Sequence, residues 1–140
     1  MGKRSTGRKL AMQALYQAEI RQLPIDDVIH LFLEESPYLE DTREWAIELA
    51  RQTWQTRAES DEIIQKYSIG WDLERLNIID KSLLRLAIHE IRYMDTPLSV
   101  VLNEIIEISK RYSTDDSPKF INGILGNYAK DECSQASPKN

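Results

Sequence analysis

Four cations open this chain at helical spacing. Lys3, Arg4, Arg8 and Lys9 precede the first apolar stripe, and Arg4 and Arg8 stand one turn apart. A helix start adds its own free N–H groups to that positive field. Tyr16 follows two turns beyond Arg8, on the same edge if the helix is regular. Near the other end, Tyr112, Lys119 and Phe120 bracket an acidic loop that holds Asp115 and Asp116. Cations that meet phosphates, and rings on which bases stack, are the chemistry of single-stranded nucleic-acid binding. Each residue also has a plainer use. Tyr16 and Phe120 fit core positions, and a carboxylate at Asp116 favours the start of the next helix by its charge.

Charge is distributed to match. The chain has 140 residues and a net charge of −5, yet residues 1–21 carry +4 and the remainder −9. A basic end on an acidic body predicts a polyanion at one place and a cationic partner at another. No catalytic pattern competes. His30 sits in a short amphipathic helix and His89 stands beside Glu90 rather than one turn from it, and there is neither a phosphate-binding glycine loop nor an HExxH motif. The single cysteine, Cys133, stands in a polar tail without an activating partner. It excludes an internal disulfide and fits a reducing, cytoplasmic setting. No cofactor or metal is expected. No apolar run approaches the roughly 20 residues needed to cross a bilayer, and none follows the N-terminal charges as a signal peptide requires.

The elements that must position these residues read as helices throughout. Apolar spacing predicts a first helix from about Thr6 to Arg21 and a second from about Asp26 to Glu35 with Val28, Leu31 and Phe32 inward and Ile29 a further inward candidate. A long third helix is expected from an Asp41 cap, with Glu44 completing a capping box, as far as Tyr67. Gly70 marks the boundary between two halves, and a short helix follows at 72–76. Asp80 is expected to cap the next helix, in which Leu83, Leu84, Ala87, Ile88 and Ile91 form a broad stripe at the centre of the core. Thr96-Pro97 and Ser117-Pro118 each read as a cap followed by a first-turn proline. In the last helix Gly123 and Gly126 share a face, which predicts close approach of another helix, the first. That contact would join the two sets of candidate residues. About seven helices result, arranged as an all-α pair of small bundles. The N-terminal subdomain spans about 1–68, the C-terminal one about 69–130, and a polar tail 131–140.

Four stretches, "AMQALYQAE", "WDLERLNIIDKSLLRLAIHEI", "PLSVVLNEIIEISKRYS" and "SPKFINGIL", occur in an order and spacing that resembles the bacterial transcription antitermination factor family NusB. The resemblance runs from Arg4 to Tyr128. It implies two helical subdomains and no catalysis. It also implies binding of boxA-type single-stranded RNA together with NusE, a small-subunit ribosomal protein, and through this pair a place among the other Nus factors on RNA polymerase. Carried over by position, the RNA surface would use Arg4 and Arg8 with Lys3 and Lys9 nearby. Tyr16, Tyr112, Asp116, Lys119 and Phe120 would complete it. Glu74, Asp80 and Glu90 are the candidates for the basic protein partner. The N-terminal cluster is thinner than in relatives with consecutive arginines, because Ser5, Thr6 and Gly7 interrupt it. Two other readings stand beside this one: a stand-alone module like the N-terminal domain of ribosomal RNA cytosine methyltransferases, and a helical protein–protein adaptor.

Overall fold

A computed structural model describes residues 2–136. These form seven α-helices and one 3-10 turn: α1 Lys3–Arg21, α2 Ile25–Phe32, α3 Glu40–Gln55, α4 Arg57–Tyr67, the 3-10 turn Leu73–Arg75, α5 Ile78–Tyr93, α6 Leu98–Tyr112 and α7 Ser117–Ala136. No strand occurs among the described residues. The Cys133 side chain and residues 137–140 of the expected tail lie outside what is described. Residues 131–136 belong to α7.

The core is built on α5, which packs against α1, α3, α4, α6 and α7. Every residue from Asp80 to Glu90 is buried. The expected stripe of Leu83, Leu84, Ala87 and Ile88 is fully enclosed, with Ile91 half-buried beside it. A helix buried on all sides must pair its charges. Arg85 does so through two bonds of 2.7 and 2.8 Å to Asp61 of α4 and one of 2.9 Å to Glu19 of α1. Lys81 donates to Glu19 at 2.9 Å. Burial alone would raise the Glu19 pKa, but the hydrogen bonds from Lys81 and Arg85 hold it below its ordinary value. A lowered folded-state pKa contributes stability that is complete above about 4.3, the unfolded value, and lost as pH falls through the folded value. Urea midpoints of Glu19→Gln should therefore fall less steeply below about pH 4.3 than those of the unmodified chain. Parallel acid limbs would remove Glu19 from the acid response.

Small side chains bring α1 onto this framework. Ala11, Ala14 and Ala18 are buried beneath neighbouring helices, and α1 packs chiefly on α3 and α5. At Gly7 a Cβ would overlap the Trp45 ring of α3, so the residue that thins the basic cluster is the one that seats that ring.

Several boundaries differ from expectation. The third helix breaks at Thr56, whose Oγ1 turns back toward the Gln52 carbonyl at 3.2 Å and meets His89 Nδ1 at 3.0 Å. His89 is thus a packed residue at a helix junction, and burial lowers its pKa. Leu39, not Asp41, caps α3 through its carbonyl; Asp41 instead pairs with Lys3 at 3.0 Å. Asn77, not Asp80, caps α5, accepting from the Asp80 N–H at 3.0 Å. Pro97 and Asp116 take the carbonyl-capping places expected for Thr96 and Ser117. In α2 the buried stripe is Ile25, Val28, Ile29 and Leu33, which leaves Leu31 at 61% and Phe32 at 41% exposure. Ile25, Val28, Ile29 and Leu33 recur at i, i+3, i+4 and i+8 and so define the inward face, with Leu31 and Phe32 on its flanks.

The packing of α7 also differs. Its main partners are α4, α5 and α6, and α1 is not among them. Ile121, Ile124, Leu125 and Tyr128 turn inward, while Gly123 and Gly126 face open space. Nothing in the packing of the described residues accounts for glycine at those two positions.

Candidate nucleic-acid interface

With α7 docked elsewhere, α6 stands between the two ends of the chain. A succession of grooves surrounds it. One, of about 190 Å³, lies between α1 and α6 and holds Lys9 and Tyr112. It shares Ser5 and Glu104 with a second groove, lined by Lys3 and Arg4. It shares Tyr112 with a third, where Tyr16 sits. It shares Glu107 with a fourth, between α6 and α7, where Lys119 sits. Asp116 and Phe120 face a separate groove with Trp71 and Arg75. The N-terminal cations and Lys119 thus line grooves on two flanks of α6, and the acidic loop faces a different groove.

Most candidate residues are open there. Arg4 is exposed and lies over the Trp45 ring, 5.1 Å from its centroid. Lys9 donates to the Tyr38 hydroxyl at 3.1 Å and meets no carboxylate among the described residues. Lys3 holds Asp41 across an exposed, solvent-screened bridge that is readily exchanged for a phosphate. Tyr16 is half-buried, Tyr112 exposed, and neither hydroxyl is engaged within the described residues. Asp116 and Lys119 are exposed. Phe120 is half-buried and packs on the core, so its ring serves the fold as well as any ligand.

Three residues are not open, and their roles change. Arg8 is 2% exposed and faces inward. Its Nε and Nη2 donate to the Glu90 carboxylate at 2.6 and 2.9 Å, and its Nη1 to Glu104 at 3.4 Å. Burial opposes its charge, but the Glu90 hydrogen bond and field overcome this and raise its pKa. Helical spacing put Arg8 on the Arg4 side; it did not show that α5 brings a carboxylate beneath that side. Glu90 is fully enclosed, taking Arg8 and the Thr96 hydroxyl at 3.2 Å, and so is no open contact for a partner. Asp80 is buried too. Its two oxygens accept from Ser113 at 2.6 Å and Ser117 at 2.9 Å, tying α5 to the loop before α7. Of the three partner candidates only Glu74, on the 3-10 turn, is exposed.

Two contributors escaped the sequence reading. Trp45 is the platform beneath Arg4. Arg111, in the last turn of α6, lines the α1–α6 groove beside Tyr112. Its adjacency to an aromatic candidate was the available signal.

No group of three side chains able to hold a metal occurs among the described residues, and no helix there is long and apolar enough to cross a membrane. Fold and site together define a helical binding protein whose open cations and rings suit a polyanion. The NusB family model matches residues 5–130. The transcription antitermination protein NusB of Thermoanaerobacter sp. (strain X514) is 38% identical over 135 residues, covering 92% of this chain and 91% of that protein. Among solved structures, T. maritima NusB is 34% identical with a TM-score of 0.84, covering 93% of this chain and 92% of that one. A crystal structure of antitermination factors NusB and NusE in complex with double-stranded RNA is 26% identical, also with a TM-score of 0.84, covering 94% and 98%. The chain belongs to the NusB family of transcription antitermination proteins.

Proposed function

We propose that this protein binds boxA-type single-stranded RNA together with NusE and so promotes antitermination, notably of ribosomal RNA transcripts, in the cytoplasm. It acts by binding and not by catalysis. The observation that carries this reading is the α1–α6 groove, where Lys9 lies with the Tyr112 ring, while exposed Arg4 lines the groove adjoining it; neither cation has a carboxylate partner among the described residues. Cations on a phosphate backbone give affinity without sequence preference, and rings stack any base. Sequence preference must come from groups able to bond base edges, for which exposed Asp116 is the candidate. The acidic body suits a basic protein partner, and of the three candidates for it Glu74 is the exposed one.

Titration of fluorescent single strands, with and without NusE, tests this. RNA containing boxA should bind more tightly than a scrambled strand, and NusE should widen the gap. Equal affinity for both strands with NusE present would leave a protein adaptor as the better description.

A further inference from the structure

We propose that the groove between α1 and α6 is a subsite for one nucleotide of the RNA, in which Arg111 is the phosphate contact. This rests on the RNA-binding reading above. Two carboxylates line the groove, and each meets a donor other than Arg111. Glu104 accepts from the Ser5 hydroxyl at 2.6 Å and from Arg8 at 3.4 Å, and Glu107 pairs with Lys110 at 3.2 Å. Arg111 has no hydrogen-bond or ion-pair partner among the described residues and is exposed. Lys9, on the facing helix, spends its charge on no carboxylate. Ser5, Thr6, Ile108 and the Tyr112 ring complete the lining. Two cations without a carboxylate partner among the described residues, flanking an aromatic wall, match a phosphate joined to a base. Arg111 thereby restores a cation that Arg8 removes from the surface by facing Glu90. A guanidinium suits the task, because its planar fork meets two phosphate oxygens at once.

Arg111 also stands at the negative end of α6, where any cation stabilises the helix. The test must separate the two roles. Affinity of the full chain with NusE should be measured against salt for a boxA strand and a scrambled strand of equal length. Arg111→Ala should flatten the slope of log K against log salt by about 0.7, alike on both strands, since one phosphate contact is lost. Arg111→Lys should restore the slope, with weaker binding, because the charge returns without the fork. A lowered melting temperature with an unchanged slope would assign Arg111 to the helix end and overturn the proposal. If Lys119→Ala flattens the slope while Arg111→Ala does not, the RNA reading stands and this subsite falls. Failure of the unmodified chain to bind either strand would sink both.

Discussion

Arg8→Ala should unfold much of this protein's margin of stability while leaving RNA affinity per folded molecule unchanged. The substitution strands the Glu90 carboxylate, which has 0% exposure and takes two bonds from the guanidinium. Removing one partner of a buried pair costs about 3–5 kcal/mol, because the remaining charge has neither water nor a counter-ion. Domains of this size hold only about 5–15 kcal/mol in total. The loss should appear as a lower urea midpoint with an unchanged slope, so that compactness is not in question. Replacing the pair together, as Arg8→Met with Glu90→Leu, should recover most of the loss, since an apolar pair of similar volume needs no desolvation. Arg4→Ala should do the opposite. Arg4 is exposed, and its stacking on Trp45 is worth about 0.5–1 kcal/mol, so stability should barely change. Its loss should flatten the salt dependence of RNA binding by about 0.7. Arg8→Ala with native stability and weakened RNA binding would return Arg8 to the surface role that its spacing first suggested.

That contrast shows how far local pattern reaches. The α5 stripe was legible because it depends only on residues within the same helix. The helix break at Thr56 was not, since the residue that meets its hydroxyl is His89, 33 positions away. Caps were misplaced by one to three positions for a related reason. A serine, threonine or aspartate near a helix start advertises a cap, yet Asp80 and Asp41 were drawn to other helices and left the task to neighbours. Gly123 and Gly126 implied a close neighbour, but glycine permits approach without requiring it, and the stripe beside them faces the other way. Among site residues, sign and ring type were readable, whereas direction was not. Arg4 and Arg8 share a turn, and only the tertiary position of Glu90 sends one inward.

Tyr112 is where loss of a single ring should weaken RNA binding most. It stands at the junction of two grooves, with Lys9 and Arg111 on one side and Tyr16 on the other. Base stacking on an aromatic contributes about 1–3 kcal/mol, so Tyr112→Ala should lower affinity by roughly five- to 150-fold. The ring is exposed at the end of α6, past the buried Val101, Ile105 and Ile108, so the melting temperature should move little. Tyr112→Phe should bind as the unmodified chain does, since the stacking face is intact and the hydroxyl holds no partner among the described residues. Tyr112→Leu keeps apolar bulk without that face, and should bind nearly as weakly as the alanine variant. The loss should be the same for boxA and scrambled strands, because every base offers a π-face. Leucine binding as well as tyrosine would mean the residue only fills space. A loss confined to boxA would mean that it reads a base edge, and the stacking argument would have to move to Tyr16.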